Sequence, residues 1–225
     1  MAETTSLALS RIWLIRHGEP ETDAHGRCYG RLDWGLSDRG QVQAQMAAQA
    51  LSGEPLAAIY SSPRRRARQS AEFLGKAKDL SVTILEGLCE IDFGDFEGLT
   101  YEEIERQYPD QYKRWMTWPT EIHFPGGESF AQMQTRVIAT ATELFQRHQG
   151  ESIAIVSHGG VNRIILAEVL GMPPSHIFRI AQRYAGLNLI TCFEGVPTVE
   201  VVNGLAKDAE RVLGLSVAKK LMPVD

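Results

Sequence analysis

Short runs of β-branched and aromatic residues alternate along the chain with longer stretches of helical periodicity, and this alternation restricts the fold more than any other feature. The apolar runs at 12–15, 57–60, 82–85, 153–156, 187–193 and 199–202 are too short for helices and read as strands. Between them, 37–51 opens on the capping residue Ser37, 64–75 follows Pro63, and 161–170 is apolar and periodic. The stretch 128–147 puts Phe130, Met133, Val137, Ile138, Ala141, Leu144 and Phe145 on one 3.6-residue stripe. Strands and helices in alternation predict an α/β fold around a largely parallel sheet.

Nothing in the sequence divides it: there is no repeat, no low-complexity tract and no Pro/Gly/Ser linker. The expectation is one domain over 1–225, with an aromatic-bearing, lid-like insertion at about 100–127. The tail beyond Gly204 has helical composition and an irregular apolar pattern. With 23 Lys and Arg against 28 Asp and Glu, the net charge of −5 gives no global attraction to nucleic acid or to an anionic membrane, so any anion site must be local. Three scattered cysteines, Cys28, Cys89 and Cys192, suggest neither a disulfide framework nor a Cys-rich metal site. A reducing, cytoplasmic setting is expected, since no targeting segment or membrane span is visible.

Two places share one local grammar. Ile15-Arg16-His17-Gly18 and Val156-Ser157-His158-Gly159 each set a histidine directly after a strand and before a glycine. In open α/β sheets the strand carboxyl ends line the ligand crevice, so adjacent strands would turn both imidazoles toward one hollow. Gly159 and Gly160 open a helix whose free N–H groups favour a phosphate or carboxylate. Ser62-Pro63-Arg64-Arg65-Arg66-Ala67-Arg68 again follows a strand, and guanidinium is the natural bidentate clamp for phosphate oxygens. Most of these arginines must form an ordinary solvated face, because a helix turns them in different directions; one or two can point inward. The loop 88–98 interleaves carboxylates with aromatics and glycines, and an apolar setting equips a carboxyl group to donate a proton to a leaving alkoxide. The residues alone do not select among Glu90, Asp92, Asp95 and Glu97.

In order, Arg16-His17-Gly18-Glu19, Ser62-x-x-x-Arg66-Ala67, Glu90-x-x-x-Gly94, Gly127-Glu128-Ser129 and Ser157-His158-Gly159 resemble the histidine phosphatase superfamily, in its phosphoglycerate-mutase-like branch, across about residues 11–203. The resemblance implies a three-layer α/β/α sandwich with a mostly parallel central sheet, and phosphoryl transfer through a phosphohistidine without metal or other cofactor. It implies His17 as nucleophile, Glu90 as proton donor, and Arg16, Arg66 and His158 as the phosphate pocket, with Gly159 beside them. Tyr29, Gly30 and His123 complete the candidate substrate contacts. Asp23 stands where many relatives have Asn and is left out of the binding set, because a carboxylate there would repel a phosphate dianion.

Within the superfamily, the stretch 90–98, the compact length and the Leu170-Gly171-Met172-Pro173 pattern look most like α-ribazole-5′-phosphate phosphatases of cobalamin synthesis. The alternatives are a broad-specificity phosphatase of sugar phosphates or phosphoglycerates, a phosphoglycerate mutase, disfavoured by Ile91 directly after the acid, and a phospholigand-binding module without turnover. The expected partner is a small phosphate ester, with no nucleic acid and no membrane; a homodimer is compatible with the sequence. Tyr101, Ile104, Tyr108, Tyr112, Trp115 and Trp118 recur at spacings of three and four. Such a stripe could present a stacking wall to a flat base, though packing on a core is its more usual meaning.

Overall fold

The computed structural model describes residues 9–206, so the tail beyond 206 lies outside the described residues. Ser10–Arg16 forms β1, Asp38–Ala50 α1, Leu56–Ser61 β2, Arg65–Lys78 α2 and Val82–Ile84 β3. Two short helices follow, α3 (Tyr101–Gln107) and α4 (Pro109–Thr117), then α5 (Phe130–Arg147), β4 (Ser152–Ser157), α6 (Gly159–Val169), β5 (Leu187–Phe193) and β6 (Val196–Gly204).

The strands form one sheet in the order β3-β2-β4-β1-β5-β6. The first four are parallel, whereas β5 runs antiparallel to β1 and β6 antiparallel to β5. The mostly parallel sheet expected from the sequence is therefore present, closed on one side by an antiparallel hairpin. Glu194 and Gly195, both at positive φ, make its two-residue turn.

Alternation along the strands divides the core in two. Ile12, Leu14, Ile153, Ile155 and Ile190 pack with α5 and α6 through Val137, Leu144, Ile164 and Ile165. Their neighbours Trp13, Ile15, Ile59, Ala154 and Val156 turn the other way, onto Ala47, Ala48 and Leu51 near α1 and Ala71 and Leu74 of α2. This is the three-layer α/β/α sandwich.

Helix boundaries follow local chemistry. Ser37 caps α1 by accepting the Gly40 N–H, and Ser129 and Gln132 make a reciprocal capping box at the start of α5. The aromatic stripe of 101–118 is carried by two helices rather than one. Pro109 lacks an N–H and drives Tyr108 out of the helical region, to φ −134° and ψ 57°, so α3 ends and α4 begins at that point.

The chain visits β1, β2 and β3 in one direction, then returns to insert β4 between β2 and β1. The helices that follow β1 and β4 lie on opposite faces, so a crevice opens at the carboxyl ends of these two strands.

Candidate active site

Parallel pairing of β1 and β4 sets Arg16 opposite Ser157, which places His17 and His158 side by side just past the strand ends. The His17 N–H donates to the Ser157 carbonyl at 2.9 Å, and the two imidazole centroids are 5.2 Å apart in an edge-to-face arrangement. Gly18 lets the chain pass close to α1: a Cβ there would lie 2.3 Å from the Gly40 carbonyl oxygen.

Both rings are buried, His17 at 2% and His158 at 1% exposure. Burial first, then Arg66 and Arg16, holds the pKa of His17 well below its ordinary 6.5. Burial first, then the charges of Arg66, Arg16 and Arg64 and the neighbouring His17 imidazole, do the same to His158. His17 is accordingly neutral. Its Nδ1 lies 2.6 Å from the Gly18 carbonyl oxygen, an acceptor only, so Nδ1 carries the proton and Nε2 keeps the lone pair. For His158, the Ser62 hydroxyl is 2.8 Å from Nε2 and itself accepts the Arg64 N–H at 3.3 Å. A Ser62 hydroxyl that donates to Nε2 puts the His158 proton on Nδ1, a buried atom with no partner among the described residues.

Two guanidiniums complete the cationic end. Arg16 Nη1 donates to the Gln182 carbonyl at 2.6 Å. Arg66, fully buried, is the arginine of its run that turns inward; its Nη1 and Nη2 donate to the carbonyls of Leu32 at 2.7 Å and Gly30 at 3.0 Å. The Nε atoms of both arginines are buried without an acceptor among the described residues. Two guanidinium N–H groups and an imidazole N–H thus remain for oxygens of a bound anion, and the three residues that carry them line one hollow.

Across from them lies Glu90, the one member of the four-carboxylate loop that lines this hollow. Its oxygens accept from the Ile91 N–H and the Gly160 N–H, both at 3.0 Å. The N–H of Gly160, expected to be free for a ligand, is therefore engaged by Glu90. Arg136 fixes the backbone beneath, donating to the carbonyls of Gly87, Cys89 and Glu90 while pairing with both oxygens of Glu128. The other carboxylates are structural. Asp92 accepts the Gly94 N–H and pairs with Arg31, and Asp95 lies against Gly126. Glu97 accepts the N–H groups of Gly30, Arg31, Leu32 and Phe93, which shapes the loop whose carbonyls hold Arg66.

The hollow has a volume of about 270 Å³, and its lining also includes the apolar and aromatic side chains Phe93, Tyr101, Trp115, Phe124, Phe130 and Ile177, together with Arg27 and Arg163. The stripe on α3 and α4 packs on the core, and two of its residues also line the hollow. Trp115 packs against Phe93, Phe96 and Phe124 in the core, with Tyr101 stacked on it at 5.5 Å, and both also face the hollow. Trp118 is exposed.

The remaining sequence candidates separate. Tyr29 lines the hollow, Gly30 contributes its carbonyl to Arg66, and Gly159 lies beside Arg16, a Cβ there being 3.6 Å from Arg16 Nε. His123 is a correction: it is exposed and absent from the lining, because its backbone pairs with Ser129 while Ile122 and Phe124 turn inward. Asp23 is exposed. The sequence missed Arg163, which lines the hollow from α6, and the buried amides Asn162, Gln182 and Asn188, which bond to one another behind Arg16. It also missed Tyr184, whose ring lies against Arg16. No motif marks these; only the polar character of Asn162 and Asn188 within apolar runs signals them.

Comparison with known proteins agrees with this geometry. Residues 12–204 match the histidine phosphatase superfamily (branch 1). The chain is 36% identical over 180 residues to phosphoserine phosphatase 1 of Hydrogenobacter thermophilus, covering 80% of this chain and 85% of that one. It is 29% identical over 197 residues to the adenosylcobalamin/alpha-ribazole phosphatase of Salmonella typhimurium, covering 87% and 97%. The alpha-ribazole phosphatase structure from Shigella flexneri superposes with a TM-score of 0.80 at 28% identity, covering 86% of this chain and 96% of that one. The chain belongs to the histidine phosphatase superfamily and is a phosphatase, a hydrolase of phosphate esters.

Proposed function

We propose that this phosphatase works through a phosphohistidine at His17 and that its substrate is α-ribazole 5′-phosphate, a phosphate ester bearing a flat aromatic base. The observation that carries the mechanism is the buried, neutral His17 whose Nδ1 proton is fixed on the Gly18 carbonyl, with Arg16, Arg66 and His158 around it. Nε2 attacks phosphorus in line: the N–P bond forms, the P–O bond to the leaving alkoxide breaks, and the Glu90 carboxyl group gives that oxygen its proton. Water then attacks the phosphohistidine, Glu90 takes its proton, and the N–P bond breaks to release phosphate and restore His17. Charge on the equatorial oxygens is met by the two guanidiniums and the His158 N–H, so positioned cations supply the electrostatic stabilisation.

The mixed lining of the hollow supports the substrate. Its cations suit the phosphate, and its aromatic side chains suit stacking with dimethylbenzimidazole. Three unpaired cysteines fit the reducing cytoplasm in which we place the reaction. A second reading, phosphoserine, draws on the 36% identical relative and on Arg27 and Arg163, two cations in the hollow suited to a carboxylate.

A hydrolysis panel separates them. α-Ribazole 5′-phosphate should give the highest kcat/KM, and Trp115→Ala should lower it about tenfold for that ester while changing phosphoserine hydrolysis far less. Higher kcat/KM on phosphoserine would replace the first substrate by the second, and no phosphate release from any ester in the panel would overturn the hydrolase mechanism.

A further inference from the structure

Arg16 and Arg66 each lie against a tyrosine ring. The Arg16 guanidinium carbon is 4.2 Å from the centroid of Tyr184, and that of Arg66 is 4.9 Å from the centroid of Tyr29. The two phenol oxygens are 3.1 Å apart, although the residues are 155 positions apart in sequence. Arg16, Tyr184, Tyr29 and Arg66 thus form one continuous chain of contacts around the phosphate end of the hollow.

We infer that the Tyr29–Tyr184 pair is a positioning bridge that sets the two phosphate-binding guanidiniums relative to one another. The inference rests on the phosphate-binding role proposed above. A buried guanidinium needs compensation, and a carboxylate would give it at the cost of competing with phosphate for the same fork of donors. A ring face attracts the cation through its quadrupole, fixes the plane of the guanidinium, and leaves its N–H edge free. Both arginines, Arg66 buried and Arg16 half-buried, follow this pattern: their polar partners are backbone carbonyls and each guanidinium carbon lies over a tyrosine ring.

The hydroxyl contact adds register. Tyr29 sits on the loop shaped by Glu97, and Tyr184 on a loop tied to the end of β1 by Ala185 N–H to the His17 carbonyl at 3.1 Å and Arg16 N–H to the Gly186 carbonyl at 3.2 Å. A hydrogen bond between the phenols therefore links the loop that holds Arg66 to the loop that backs Arg16 and His17. Burial and that hydrogen bond push the Tyr29 phenol up, so it stays protonated beside the phosphate. Tyr184 also comes within 5.8 Å of the His17 ring, which limits the directions that ring can take.

The test is a double-mutant cycle with Tyr29→Phe and Tyr184→Phe, each of which removes one oxygen and keeps its ring. Inorganic phosphate binding, followed by calorimetry, is the first readout, and KM and kcat for p-nitrophenyl phosphate are the second. Each single variant should weaken phosphate binding and raise KM about fivefold, with kcat lowered less, because the guanidiniums hold phosphate in the ground and transition states alike. The double variant should be no worse than either single one, since both remove the same hydrogen bond. Tyr184→Leu, which also removes the ring from Arg16, should weaken binding further, by about 20-fold. Effects that multiply in the double variant, or single variants that bind phosphate as the wild type does, would overturn the bridge. Phosphate binding reads the bridge even where turnover is absent, so failure of the hydrolase reading is scored separately from failure of this one.

Discussion

Acidification should destabilise this protein through two histidines in particular. His17 and His158 are buried against each other, and Arg16 and Arg66 act on both, with Arg64 also acting on His158; both pKa values are held well below 6.5. In the unfolded chain each imidazole takes a proton near the ordinary value, whereas in the folded chain it does not. Between 6.5 and the folded pKa values the unfolded state therefore binds more protons, and stability falls as pH falls. For a histidine that stays neutral when folded, the loss from about pH 7 to about pH 5.5 is about 1 kcal/mol, so the pair accounts for about 2 kcal/mol. Urea unfolding at both pH values, in buffer free of phosphate, checks this against a His17→Asn/His158→Gln double variant, which cancels titration common to both proteins. The wild type should lose about 2 kcal/mol more than the variant over that interval. An equal loss in the two proteins would show that the imidazoles protonate in the folded state, and the neutral nucleophile would go with it.

Two substitutions bear on the proton donor. Glu90→Gln should lower kcat about 10²- to 10³-fold for an alkyl phosphate and far less for p-nitrophenyl phosphate, whose leaving group departs without a proton; equal losses on both esters would remove Glu90 from that role. Gly160→Ala would bring a Cβ within 2.3 Å of Glu90 Oε1 and displace the carboxyl group, so kcat for the alkyl ester should drop about 10²-fold without loss of the fold by circular dichroism. Unchanged turnover would show that the carboxyl position is not critical.

The parts of the site that sequence reveals are those set by local chemistry. A strand followed by His-Gly determines where His17 and His158 sit once β1 and β4 are neighbours, and Arg66 turns inward because α2 packs its Ala67, Ala71 and Leu74 side against the sheet. Residue chemistry alone leaves Glu90 among four carboxylates and only the resemblance points to it; the three-dimensional reason is that Glu97 spends its oxygens on the N–H groups of Gly30, Arg31, Leu32 and Phe93. Tyr184 and Gln182 were illegible because their roles depend on partners far away in sequence, Arg16 and Tyr29. The expectation for His123 failed because proximity to the Gly126-Gly127 turn does not decide which side chains of an extended segment turn inward. The break at Pro109 was legible in principle, since proline and its effect on the preceding residue are local.

The central claim is a covalent bond between phosphorus and His17. Rapid mixing with labelled phosphate ester, an alkaline quench and peptide mapping should recover acid-labile phosphate on the peptide that contains His17, and none from a His17→Ala protein, which should also fail to turn over. Full turnover by that variant, or label found on any other residue, would contradict the account.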